Sequence, residues 1–500
     1  MNKKLKSRIV KNSAWALISS VIGRVGSLLF TIILARFLLP EKYGIYSIVF
    51  SVGMIFITFT DLGIDRTFIR YLSYSLSHDK KKTNAYYRYL LRIKIILALT
   101  AAVALAVLAY PIATLVFRNA GLFYPLLAAA FYIFVLTFEG FYSSIFYSIE
   151  RVDCLSMRDI LSQSLKIILA LGLFIFVSSS YQLVGVFAVL TLTSIVAALL
   201  AYFYTKKLNP EIYIKKDVEI DKKKVIRFVG FLTIASISGI LFSYIDSIML
   251  GLYVSPEFVG FYRAAFSLVF GVAGLLGFAS IVLMPVFTKT AKNNIQGIFS
   301  AALRYISILS IPCTFGLIAL GNYFIRLFYG YAYLPSVLPI YFLAFAILPI
   351  SLTGMIIALF SAEERTAVYA KIFMISSIVN IILNFALITL LVRISPLWAS
   401  GGAAIATTVS WFFYMAYSSY FAKKEFGIRV DLSKAIRPFI AGVVMFFAIW
   451  QFIKIFSDVN ILNGMATVLF GMALYFFVLV LLGGVNRADL ELMKKIFQKK

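Results

Sequence analysis

Residues 40–46 read PEKYGIY and residues 256–262 read PEFVGFY, so one phrase, Pro-Glu-x-x-Gly-x-Tyr, occurs twice, 216 residues apart. Each copy follows one long apolar segment and opens the next. Self-similarity at so long a period, in a chain this apolar, marks a duplicated membrane bundle, an architecture common among transporters. The phrase also makes local sense. Pro40 and Pro256 fit the first turn of a helix, where a missing N–H is harmless. Glu41 and Glu257 complement the positive helix N-terminus. Gly44 and Gly260 permit close helix approach, and Tyr46 and Tyr262 sit at a depth favoured by interfacial aromatics. Taken singly, each copy is a well-built helix start; their matched positions carry the duplication.

Hydrophobic residues make up 62% of the 500-residue chain and the mean hydropathy is +0.95, whereas soluble domains are about half apolar. A spanning helix needs about 20 apolar residues. The sequence supplies fourteen such spans, at 12–38, 43–63, 93–117, 121–149, 158–177, 181–205, 228–253, 258–286, 301–325, 335–360, 366–392, 399–422, 437–456 and 461–484. The predicted fold is an all-α polytopic membrane protein with about 14 transmembrane helices, arranged as two parallel-repeat six-helix lobes plus two C-terminal helices.

The net charge of +26 raises the question of nucleic acid, and placement answers it. Most Lys and Arg fall in the N-terminus, the C-terminus and alternate loops. Arg36, Lys42, Arg118, Arg326 and Arg393 fall on or beside the opposite loops, and Arg24, Lys166, Arg263 and Lys454 lie within spans. That asymmetry is the positive-inside pattern, with both termini cytoplasmic in the cell membrane. The charge reads as topology and attraction to anionic membrane lipids, and no nucleic-acid partner is expected. Cys154 and Cys313 lie too far apart in the topology to form a disulfide. His78 has no cluster of Cys, His or carboxylate near it, so no metal site is expected. The first span is too long for a signal-peptide core and is read as a retained helix.

Six spans (1–205) precede the basic linker 206–227, six more (228–422) follow it, and 423–500 holds helices 13 and 14 and a cytoplasmic tail. An even number of spans starts both lobes on the same side, so the repeats run parallel. Loops on the outer side are too short to fold as a catalytic or recognition domain.

Ionisable groups inside a bilayer cost several kcal/mol unless they face a cavity or a partner, which makes each a functional candidate. Arg24 lies near the middle of the first span and reads as cavity-facing. Asp246 and Arg263 sit at matched depth in consecutive spans, as do Glu139 and Lys166, so either pair could fasten a hairpin or serve transport. Under the 216-residue shift Arg24 maps to Ile240, Asp246 to Phe30 and Arg263 to Ser47. The scaffold repeats and the charges do not, which favours function. Asp61 and Asp65 share a helix face by their i,i+4 spacing, as do Arg66 and Arg70. Asp61, Arg66 and Arg70 are therefore candidates for a cytoplasmic gate, with a solvated, snorkelling helix end as the plainer alternative. Asn380 and Asn384 form another i,i+4 pair, suited to interhelical hydrogen bonding or substrate contact.

The run LARFLLPEKYGIYSIVFSV, with DLGIDRTFIRYLS after it, and the run IDSIMLGLYVSPEFVGFYRAAFSL resemble the two half-signatures of prokaryotic polysaccharide-biosynthesis flippases, the O-antigen-type exporters of lipid-linked oligosaccharides. These belong to the multidrug/oligosaccharidyl-lipid/polysaccharide exporter superfamily, and the similarity extends over essentially the whole chain. It implies two six-helix lobes around a central cavity, rocking to expose it alternately. It implies a polyprenyl-(pyro)phosphate-linked glycan as substrate, bound by cavity cations: Arg24 first, then Arg263 and Lys166. No cofactor is implied beyond a coupling ion, H+ or Na+, with Asp246 or Glu139 as carriers. Glycosyltransferases or a polymerase of the same pathway are the implied protein partners. The rivals are a cation-coupled multidrug extruder, a membrane glycosyltransferase or polymerase, and a non-transporting partner of a glycan synthase. The extruder would want uncompensated carboxylates, and an enzyme would want acidic residues in a large outer loop. Neither feature is evident, so the chain reads as a transporter without catalytic residues.

Overall fold

Segments too apolar for water must satisfy every backbone N–H and C=O internally, and helices do this within one segment. The computed structural model describes residues 3–215, 218–289, 294–455 and 460–485, with side chains from Val21 onward except at 224, 227–236 and 278–282. The tail beyond residue 485, assigned from sequence to the cytoplasm, lies outside the described residues. Among the described residues sixteen α-helices follow in chain order: α1 (Lys3–Asp61), α2 (Ile64–His78), α3 (Thr83–Pro111), α4 (Phe123–Ser148), α5 (Val152–Phe176), α6 (Gln182–Leu208), α7 (Lys222–Tyr253), α8 (Pro256–Leu276), α9 (Phe278–Lys289), α10 (Ile295–Phe324), α11 (Val337–Leu343), α12 (Ile347–Ala362), α13 (Thr366–Leu391), α14 (Pro396–Phe426), α15 (Ile436–Phe452) and α16 (Ile461–Leu481). No strand occurs among the described residues.

Among those residues, eleven helical stretches are long and apolar enough to cross a membrane. The first, Val21–His78, is two traverses in one, because α1 breaks at Leu39, whose φ is 60° and ψ 169°. The cause is Pro40: it offers no N–H, and its ring excludes the residue before it from helical geometry. With α7, apolar over Ile237–Tyr253, and α14, the traverses among the described residues number fourteen, as the sequence predicts. The second copy of the phrase follows an equivalent break, residues 254–255 between α7 and α8. Pro285 and Pro312 lie inside α9 and α10, whereas Pro349 occupies the first turn of α12, where no N–H is needed.

The repeat divides the sequence into 1–205, 206–227, 228–422 and 423–500; packing groups the chain into two compact units. The first comprises Met1–Arg263 with Phe373–Ala403. Its cytoplasm-assigned end is closed by Phe68, Leu72, Tyr87, Leu90, Phe141 and Ile145, all buried, with Phe68 stacked on Phe141 at 4.4 Å. The linker belongs to this core: Ile212 is buried in it, and Asn84 Nδ2 donates to the Ile212 carbonyl at 2.8 Å. The second unit comprises Ala264–Ile372 with Ala404–Lys500. Here α15 and α16 pack on α10 through Ile308, Leu320, Tyr323, Met445, Ile449 and Tyr475, and Tyr475 Oη donates to the Ile308 carbonyl at 3.0 Å.

Candidate functional site

In the first unit, α1 and α5 lie side by side and bring several polar groups to one seam. Gly26 leaves room for the Gln163 side chain, and Gln163 Nε2 reaches Ser27 Oγ at 3.4 Å. Arg24, less than one turn away on α1, is exposed. Lys166, almost a turn beyond Gln163 on α5, is half-buried with its ammonium 4.8 Å from the centre of the Phe30 ring. A cation over an aromatic face is attracted by the ring quadrupole without being neutralised. The seam therefore gathers cations from two helices.

Glu139 corrects one expectation. Its ion-pair partner is Arg158, at 3.2 Å, and not Lys166. Arg158 Nη1 also donates to Ser143 Oγ at 2.6 Å, Ser143 Oγ in turn donates to the Glu139 carbonyl, and Arg158 forms a second ion pair with Asp159. The reason is register. α5 starts at Val152, six residues before the apolar span, which at about 1.5 Å per residue moves every level along it by about 9 Å. Arg158 thereby comes level with Glu139, and Lys166 lies deeper, facing the α1 seam.

Asp246 on α7 is fully buried, and both its oxygens are engaged. Tyr262 Oη donates to Oδ2 at 2.6 Å and Asn384 Nδ2 donates to Oδ1 at 2.7 Å. Asn384 also donates to the main-chain carbonyl of Asn380 at 3.0 Å, so of the two i,i+4 asparagines of α13 it is Asn384 whose side chain serves this carboxylate. Arg263 Nη1 reaches the Ser243 carbonyl at 3.5 Å, with the guanidinium 5.6 Å from the Tyr244 ring centre. Tyr262 belongs to the repeated phrase. Its counterpart Tyr46 packs instead among Tyr43, Phe50 and Phe187, and the position matching Asp246 is Phe30. One half has put a scaffold tyrosine to polar use.

The two copies of the phrase also meet. A Cβ on Gly44 would overlap the Pro256 carbonyl oxygen and lie 3.1 Å from Gly260 N. A Cβ on Gly260 would overlap the Pro40 carbonyl oxygen and lie 3.3 Å from Gly44 N. Each glycine thus seats the first turn of the other copy, a reciprocal contact of the kind small residues allow between membrane helices.

A further charged group went unnoticed in the sequence. Lys94 of α3, 1% exposed, donates to Asp61 Oδ1 and Asp65 Oδ1, both at 2.8 Å. Asp61 closes α1 and Asp65 opens α2 across the left-handed residues Leu62 and Gly63 (φ 43° and 80°). Two carboxylates spaced i,i+4 call for a cation, which was the available signal. Lys94 stands at the start of an apolar span and reads there as a topological charge. Arg66 and Arg70 are exposed on α2. Among the described residues, no group of three or more His, Cys, Asp or Glu is placed to hold a metal.

Fourteen helical traverses among the described residues, a doubled half-signature and polar groups held within the spans define a multi-span α-helical membrane protein built from two repeats. Residues 9–291 match the family described as "Polysaccharide biosynthesis protein", and the chain belongs to that family. A curated relative, "Probable low-salt glycan biosynthesis flippase Agl15" of Haloferax volcanii, is 20% identical over 269 residues, 52% of this chain and 55% of its own; the chain thus spans about half the length of that relative. Among solved structures, a lipid II flippase, MurJ, in an inward closed conformation superposes with a TM-score of 0.71 at 17% identity, covering 94% of this chain and 98% of its own. A multidrug resistance MATE family transporter gives 0.64 at 12% identity, covering 82% and 98%. At such identities the likeness establishes the fold.

Proposed function

We propose that this protein is a flippase that moves a polyprenyl-(pyro)phosphate-linked oligosaccharide across the cytoplasmic membrane by alternating access, for assembly of a cell-surface glycan. The observation that carries the reading is the α1–α5 seam: Arg24 exposed on a membrane-level helix beside Gln163 and Ser27, with Lys166 close by. A (pyro)phosphate carries its charge into the membrane and needs such cations. Arg24 is assigned as the primary phosphate ligand, supported by Lys166 and Arg263. The name of the curated relative, a glycan-biosynthesis flippase, supports the substrate class. MATE transporters share the fold, but cations gathered on α1 and α5 repel the amphipathic cations that an extruder would carry. Glycosyltransferases or a polymerase of the same pathway would be the neighbours. Both termini are assigned to the cytoplasm.

Gradient coupling is assigned to Asp246, the carboxylate buried in a site built from α7, α8 and α13, with H+ or Na+ as the ion; Glu139 is engaged by Arg158 and is the weaker candidate. The test is flipping of a fluorescent polyprenyl-pyrophosphate glycan in proteoliposomes, with and without an imposed H+ or Na+ gradient. Arg24→Ala is expected to slow flipping about tenfold to a hundredfold, the worth of hydrogen bonds to a charged group. Asp246→Asn is expected to abolish the response to the gradient. Flipping by Arg24→Ala at the rate of the unaltered protein sinks the phosphate assignment. Transport of organic cations with no glycan flipping favours the extruder.

A further inference from the structure

The second unit holds a cavity that the transport reading does not use. It has a volume of about 400 Å³ and lies where α10, the one-turn helix Leu432–Ala435 leading into α15, and the Gly483–Gly484 turn after α16 come together. Arg304, Lys434 and Arg437 line it with Ser433, and among the described residues none that line it is acidic. We infer that this cavity binds the phosphodiester headgroup of an anionic membrane lipid.

The three cations are held in different ways. Arg437 Nη1 donates to the Gly483 carbonyl at 2.6 Å, beyond the end of α16, which Gly483 and Gly484 close through bonds to Val480 and Leu479. This is one of the five donors of a guanidinium, and it fixes the group at the cavity wall with its charge intact. Arg304 is set over the Tyr305 ring, and its Nη2 donates to Tyr305 Oη at 3.2 Å. Lys434 has Asp431 at 3.9 Å, a loose, half-exposed pair whose carboxylate also accepts from Ser433 N at 3.1 Å. Such a pair is worth little in solvent and exchanges readily for a phosphate.

What surrounds the cavity selects lipid over a free anion. Leu432, Ile436, Phe439 and Ile440 are all exposed on the segment entering the membrane, and Tyr305 and Leu309 are exposed on α10. A charged cleft bordered by bare apolar side chains matches a headgroup joined to acyl chains; inorganic phosphate would leave that border unused. The helices also meet here at one membrane boundary, where α10 and α15 begin and α16 ends. The positive-inside pattern assigns that boundary to the cytoplasm, where anionic lipid attracts basic residues at about 1 kcal/mol each.

The experiment is native mass spectrometry of the full chain, delipidated in detergent and titrated with phosphatidylglycerol, phosphatidylcholine or inorganic pyrophosphate. Phosphatidylglycerol is expected to bind in preference to the other two. The double variant Arg304→Gln/Lys434→Gln is expected to weaken its tightest site about thirtyfold, two residues at that worth. The charge-keeping double variant Arg304→Lys/Lys434→Arg is expected to retain most of the affinity and so to separate lost charge from lost fold. Unchanged phosphatidylglycerol binding by the first variant overturns the site. Equal binding of pyrophosphate, or of phosphatidylcholine, overturns its assignment to an anionic lipid.

Discussion

Lys94 shows how a single residue can set the geometry of a helix end. A lysine ammonium taken out of water is costly unless its donors are met, and here two aspartates from either side of a backbone break supply acceptors at 2.8 Å. Gly140 on α4 makes room for Asp65, since a Cβ there would lie 3.1 Å from Oδ2. The triad therefore clamps α3 across the junction of α1 and α2. Lys94→Met is expected to leave two carboxylates facing each other and to destabilise the protein by about 3 kcal/mol, the low end for a broken buried pair. Asp61→Asn/Asp65→Asn/Lys94→Met removes all three charges and is expected to recover much of that loss. Thermal unfolding in detergent, followed by helical circular dichroism, checks both. If the triple variant is no better than Lys94→Met, the cost does not come from uncompensated charge.

At the scale of elements, the reciprocal seat of the two PExxGxY helix starts is the feature most open to test. Gly44 meets the first turn of α8, and Gly260 meets the backbone at Pro40, with no room for a methyl group at either point. Gly44→Ala and Gly260→Ala are each expected to destabilise by about 1–3 kcal/mol, the usual cost of overpacking. Because both force apart the same contact, the double variant is expected to cost clearly less than their sum. Strict additivity, read from the same unfolding curves, would show that the two glycines act independently. The duplication, the spans and the proline break at residue 39 were all legible in the sequence, because each is a local pattern. The partner of Glu139 was not, because it depends on where α5 starts: six residues of helix before the span decide whether Arg158 or Lys166 stands opposite. The role of Tyr262 was hidden for a related reason. The same residue type at Tyr46 is plain aromatic packing, and only the burial of Asp246 beside its twin makes the difference.

For the whole molecule, the orientation in the membrane decides which end of each span faces the cytoplasm, and the charge pattern makes a definite claim about it. Lys42, within the first copy of the phrase, donates to the Ser179 carbonyl at 2.9 Å, tying the start of α1's second segment to the α5–α6 loop. Lys80 pairs with Glu211 at 3.3 Å, tying the α2–α3 turn to the linker after α6. Ser180 and Lys207 thus stand near opposite ends of α6, whose 27 residues span about 40 Å, more than the roughly 30 Å hydrocarbon core. The basic residues gather at the Lys207 end, which the positive-inside rule places in the cytoplasm. Both native cysteines, Cys154 and Cys313, are free, so replacing them with alanine gives a clean background for labelling. In that background Ser180→Cys is expected to react with a membrane-impermeant maleimide in intact cells, and Lys207→Cys only after permeabilisation. The opposite pattern would invert the topology. It would place the Lys94 clamp of the first unit on the outer face.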